Sequence, residues 1–104
     1  MARNVLITGS SRGIGAAAAL AFAKEGCNVG INHHSCTNSD AAHEVADACR
    51  KEGVKAEVYV ADVSQHDQCQ TMLANFIRDF GQIDVLVNNA GGALQIPGGS
   101  KGEF

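Results

Sequence analysis

Three glycines carry the most specific chemistry in the chain. They stand in Thr8-Gly9-Ser10-Ser11-Arg12-Gly13-Ile14-Gly15, after the apolar run Val5-Leu6-Ile7 and before an alanine-rich stretch. Each answers a separate demand. Gly9 permits a sharp turn off a strand end, Gly13 leaves room for a pyrophosphate to approach the backbone, and Gly15 lets the following helix pack against the sheet. The first N–H groups of that helix have no partner within it, and its dipole presents positive charge to a phosphate. A P-loop is excluded, because no Gly-Lys-Ser/Thr follows. The spacing is G-x-x-x-G-x-G, so the strand-turn-helix context carries as much of the reading as the glycines do.

The elements that hold this turn follow from periodicity. Val5 to Ile7 reads as a strand buried on both faces. Ile14 to Lys24 is alanine-rich and reads as a helix stopped by Gly26. Asn28 to Asn32 is a second strand, weakened by Gly30, and His33 to Asn38 reads as a polar loop. Asp40 to Lys51 has helical spacing in Ala41, Val45, Ala48 and Cys49. Ala56 to Val60 is a third strand. Ser64 to Asp67 opens a helix whose core face is Met72, Leu73, Phe76, Ile77 and Phe80. Ile83 to Val87 is a fourth strand, ending at Asn88-Asn89-Ala90-Gly91-Gly92. Strands alternating with helices predict an α/β fold, a partial Rossmann unit. Its parallel sheet should have four strands in the order 3-2-1-4, with helices on both faces.

Composition narrows the class. At 104 residues, one domain is the ceiling, and 45% hydrophobic with 18% charged residues is ordinary for a soluble protein. A net charge of −3 without a basic stripe argues against nucleic acid as a partner. No apolar run is long enough to span a membrane. Met1 to Asn4 leads straight into a strand, so no signal peptide and a cytoplasmic location are expected. Cys27, Cys36, Cys49 and Cys69 form no C-x-x-C pair and are expected as free thiols. His33, His34 and Cys36 match no zinc spacing, so no metal is expected.

The glycine turn and the Asn88-Asn89-Ala90-Gly91 motif, each at a strand end, resemble the TGxxxGxG and NNAG signatures of the short-chain dehydrogenase/reductase family. The resemblance runs from Val5 to about Gly92 and extends to members like 3-oxoacyl-ACP reductase and glucose dehydrogenase. It implies that residues 1–92 are the N-terminal half of a dinucleotide-binding domain, with 93–104, which includes Pro97, a Gly-rich loop or truncated tail. Gly9, Ser11, Arg12, Gly13 and Ile14 match the family's phosphate-binding turn. Asp62 matches the acid that bonds the adenine amino group, with Val63 against the ring. Asn88, Ala90 and Gly91 match the stretch that passes the cofactor ribose. Two of these have a plainer alternative: Asp62 as a helix N-terminal acid, and Asn88 as a tie between strands.

NADP is expected over NAD. NAD-binding units commonly place an acid at the end of the second strand to accept bonds from the ribose hydroxyls. Here His33 or a near neighbour holds that place, and no acid occurs from Cys27 through Ser39. By resemblance, Arg12 faces the 2′-phosphate, for which a guanidinium is a matched fork of donors. His34 and Ser35 are placed to add hydrogen bonds. The plainer alternatives are a solvated Arg12 and a bland His33-His34 loop pair.

The family's reaction is hydride transfer between a nicotinamide and a carbonyl or alcohol carbon. It uses a tyrosine, a lysine four residues later and an upstream serine, all beyond the NNAG motif. The sole tyrosine here, Tyr59, lies in the third strand and is followed at the lysine place by Val63. Ser100 is the only serine after Asn89. No catalytic residue is therefore expected in this chain, which reads as a fragment of a longer homo-oligomeric enzyme. A small-molecule carbonyl substrate is expected only for that parent. The open edge of the fourth strand is expected to favour self-association. The alternatives are a non-catalytic nucleotide-binding module, and an interaction protein without a cofactor.

Overall fold

The computed structural model describes residues 2–34 and 39–89. The elements are β1 (Asn4–Ile7), α1 (Gly13–Lys24), β2 (Asn28–His33), α2 (Asp40–Arg50), β3 (Ala56–Val60), α3 (His66–Phe80) and β4 (Val85–Val87). All strand pairs are parallel and the sheet order is β3-β2-β1-β4, as the sequence predicts. Val5 stands between Val29 and Val85, and Ile7 between Ile31 and Val87, so apolar rows cross the sheet.

The two faces are packed by different chemistry. On one, Val5, Ile7, Val29 and Ile31 lie under Ala19 and Ala23 of α1 and Ala42, Ala46 and Cys49 of α2. Small side chains let both helices lie close to the strands. On the other face one helix among the described residues, α3, presses Met72 and Phe76 onto Leu6, Tyr59 and Ala61. Phe76 is fully buried, meets the Tyr59 ring edge-on at 5.8 Å and stacks on Phe80 at 4.3 Å. Aromatic pairs in these geometries add attraction beyond the area they bury.

Gly30 explains itself here. A Cβ at that position would lie 2.7 Å from the Phe76 ring and 2.9 Å from Leu6 Cδ1. The glycine is the floor on which the aromatic layer rests, rather than a weak point in β2.

Element bounds shift by one or two residues from expectation, and two of the shifts have a visible cause. β2 runs one residue further, through His33, because its carbonyl accepts the Ala61 N–H at 2.9 Å. β4 begins at Val85 rather than Ile83, because Asn4 occupies the approach to it. The Asn4 N–H donates to Asp84 Oδ2 at 2.8 Å, and its side-chain amide donates to the Phe80 and Gln82 carbonyls at 3.2 and 3.1 Å. That side chain thus satisfies a carbonyl at the end of α3 that the helix leaves open.

Leu86 of β4 is 51% exposed, and among the described residues no strand pairs with the outer side of β4. The opposite edge is partly blocked, since the Arg50 guanidinium donates to the Ala56 carbonyl. Cys27, Cys49 and Cys69 are free thiols; Cys36 lies outside the described residues. Among the described residues no helix is long and apolar enough to cross a membrane.

Tyr59 and Asp79 couple β3 to α3 through one hydrogen bond, Tyr59 Oη donating to Asp79 Oδ2 at 2.7 Å. Burial, then this bond, pushes the tyrosine up from its ordinary value, while the same bond, with help from Arg78, holds the Asp79 carboxyl down. The raised tyrosine stabilises the fold below 10.0, its unfolded value, and that contribution is lost as pH rises further. The depressed carboxyl stabilises it above 3.8 and loses that contribution as pH falls. Urea unfolding across pH should therefore show wild type losing stability relative to Tyr59→Phe at both extremes. Parallel profiles would refute the coupling.

Candidate functional site

The carboxyl ends of the four strands converge on the glycine turn, the place where open α/β sheets bind ligands. Gly9 and Gly13 have φ of 61° and 62°, in the left-handed region that favours glycine. The turn is fastened before it presents anything outward. Gly9 N–H donates to Asn32 Oδ1 at 2.9 Å, and Ser10 N–H to the Asn32 carbonyl at 3.0 Å. Ser10 Oγ donates to the Ile7 carbonyl at 2.7 Å and accepts the Asn32 N–H at 2.9 Å. Both Ser10 and Asn32 are fully buried.

The amides that remain for an anion are therefore those at the start of α1. Arg12 is its N-cap residue, extended and with no side-chain cap bond, and the first turn holds no acid. Ala16 N–H is the first to bond back, to the Arg12 carbonyl at 3.2 Å. The N–H groups of Gly13, Ile14 and Gly15 thus have no acceptor within the helix. A Cβ on Gly13 would meet nothing within 4 Å, so the space over this turn is open. Ile14, 82% exposed, and the exposed Arg12 flank it.

Gly15 serves a narrower purpose than packing against the sheet. A Cβ there would collide with the Gly9 carbonyl and lie 2.8 Å from Asn89 Nδ2. Asn89 needs that room: its side-chain amide donates to the Gly9 carbonyl at 3.1 Å, and its N–H to Thr8 Oγ1 at 2.9 Å. Asn89, not Asn88, binds β4 to the turn. Asn88 is exposed, touching Thr8 Oγ1 at 3.4 Å. Ala90, Gly91 and Ser35 lie outside the described residues.

The two histidines part company. His33 belongs to β2, not to a loop; it is 4% exposed and its Nδ1 lies 3.3 Å from the buried Ser11 Oγ, beneath the turn. His34 is exposed, with its ring 5.6 Å from that of His33. Asp62, just beyond β3, accepts the Ser64 hydroxyl at 2.6 Å and the Ser64 N–H at 3.0 Å through Oδ1. Those bonds, with the nearby His34, hold its carboxyl below the usual carboxylate range. Its own N–H donates to Gln68 Oε1 at 2.8 Å. One carboxylate oxygen therefore builds the turn into α3. Val63 packs half-buried on the aromatic layer.

Ser10, Asn32 and Asn89 are the functional-site residues that sequence reasoning passed over. The available signal was an asparagine at the end of an otherwise apolar strand. Tyr59, by contrast, is spent on Asp79 in the β3–α3 layer.

This succession of turn, strand ends and asparagine pair is reflected in the sequence match, which covers residues 3–102 with the short chain dehydrogenase family. The chain belongs to the short-chain dehydrogenase family. The 3-oxoacyl-[acyl-carrier-protein] reductase FabG of Staphylococcus epidermidis is 40% identical over 91 residues, covering 88% of this chain and 36% of that protein. The chain thus spans little more than a third of that relative's length. Among solved structures, a Burkholderia cenocepacia protein with bound NADP superposes with a TM-score of 0.83 at 28% identity, covering 88% of this chain and 35% of that one. An NAD+-bound xylitol dehydrogenase superposes at 0.79 with 36% identity, covering 86% and 33%.

The glycines of this family member should separate by substitution. Gly15→Ala must displace backbone and should destabilise the fold by about 1–3 kcal/mol, the range for overpacking. Gly13→Ala meets no steric obstacle and should cost only the left-handed backbone penalty, about 1–2 kcal/mol. Urea-unfolding midpoints check the order; Gly13→Ala proving the costlier change would refute it.

Proposed function

We propose that this chain is the NADP(H)-binding portion of a short-chain dehydrogenase/reductase, its parent transferring hydride between NADP(H) and a carbonyl or alcohol carbon. The carrying observation is the uncapped start of α1 beneath open space, at the end of a turn that carries left-handed Gly9 and Gly13. The residues present suit a dinucleotide. Gly13, Ile14 and Gly15 offer amides to its diphosphate, with Gly9 and Ser11 shaping the turn. Asp62 and Val63 receive the adenine, and Asn88, Ala90 and Gly91 pass the ribose. When bound, the nicotinamide supplies the hydride chemistry.

NADP(H) is favoured by charge. The end of β2 carries His33 and His34 in place of an acid, and Arg12 stands exposed beside the turn without an ion-pair partner among the described residues. Since His33 is turned inward on Ser11, the 2′-phosphate falls to Arg12 and the exposed His34. Solved relatives include both an NADP-bound and an NAD+-bound protein, so preference is argued from this chain's own residues.

Calorimetric titration should give NADPH at least about tenfold tighter binding than NADH, the worth of one charge-assisted hydrogen bond. Arg12→Ala should erase most of that difference while leaving NADH binding unchanged. Equal affinities in wild type would overturn the preference.

Catalysis belongs to the parent on this reading. Residues 1–92 are the dinucleotide-binding half and 93–104 a Gly-rich loop or truncated tail. With Tyr59 committed to Asp79, the chain alone should oxidise NADPH no faster than a blank across a panel of ketones; measurable turnover would refute this.

A further inference from the structure

A dinucleotide must touch two separate parts of this site at once, and one side chain joins them. Asn32 Oδ1 accepts the Gly9 N–H at 2.9 Å, on the phosphate turn. Its two amide hydrogens face the Tyr59 and Ala61 carbonyls, both at 3.2 Å, where β3 gives way to Asp62 and Val63. Met72 Sδ closes the same pocket at 3.4 Å. Asn32 is 0% exposed, so no bulk water shares these bonds.

The other fasteners reach less far. The Ser10 hydroxyl ties the turn to β1 and β2. The Asn89 side chain ties β4 to the turn. Among the described residues, Asn32 is the one whose side chain bonds both the phosphate turn and β3.

We propose that Asn32 is a positioning residue for the dinucleotide, holding the phosphate turn and the adenine-side exit of β3 at a fixed separation. The proposal rests on the dinucleotide reading above. A ligand of fixed length gains from its second contact only when the two subsites are spaced to match it. A loosened spacing penalises the whole dinucleotide while sparing a piece that occupies one side alone.

The test is calorimetric titration of the full chain with NADP+ and with adenosine, the adenine-side piece alone, which lacks both the diphosphate and the 2′-phosphate. Asn32→Ala should weaken NADP+ about tenfold, as loss of buried hydrogen bonds implies, and leave adenosine within about twofold. Asp79→Ala, which loses the Tyr59 hydroxyl's bond from the α3 end, should leave the ratio of the two affinities at its wild-type value. A merely structural Asn32 would lower both ligands alike, and that result overturns the proposal.

Should Asn32→Ala fail to fold, wild type decides by hydrogen exchange. NADP+ should slow the Gly9 N–H and the Asn32 side-chain amide together, and protection of neither overturns the proposal. A wild-type chain that binds adenosine but shows no ratio change in Asn32→Ala refutes Asn32's role alone. A wild-type chain that binds neither ligand refutes the dinucleotide reading with it.

Discussion

The whole site depends on satisfying buried polar backbone at the place where the chain leaves the sheet. A turn that offers amides to a charge cannot also bury them unpaired, since each buried orphan costs free energy comparable to a lost hydrogen bond. The chain divides the amides. Gly9 and Ser10 give theirs to Asn32, inside, and the first turn of α1 keeps its own for outside. The inner set makes the outer set rigid. A preorganised anion site loses less on binding than one that must first assemble.

The same economy of space governs the packing. α1 and α2 approach the sheet through alanines and Cys49, while α3 covers the other face with Met72, Phe76 and Phe80. Three of the glycines fit this account by different routes. Gly30 makes way for an aromatic ring, Gly15 for an asparagine and a carbonyl, and Gly13 for empty space. Only the last leaves room for something that is not protein.

Charge distribution is what the proposed NADP(H) preference rests on. A carboxylate at the end of β2 would repel a phosphorylated ribose, and in its place stand an inward His33 and an outward His34. The acid that is present, Asp62, sits one strand further on and is held ionised by Ser64 and His34. Position, rather than net charge, makes an acid compatible with a phosphate nearby.

Periodicity and punctuation in the sequence determined the element order, the parallel sheet in the order 3-2-1-4 and the glycine turn at its carboxyl edge. Those features are local: apolar runs, alanine blocks and glycines act through neighbours a few residues away. The sequence also placed Asp62 and the asparagine pair at strand ends. Only the tertiary structure decided which asparagine of the pair fastens the turn, that His33 points inward, and that Asn32 joins Gly9 to Ala61. These are contacts between residues far apart in the chain, 80 positions for Asn89 and Gly9 and 29 for Asn32 and Ala61. A hydrogen bond depends on distance and angle in space, and no spacing along the chain encodes either until the strands have paired.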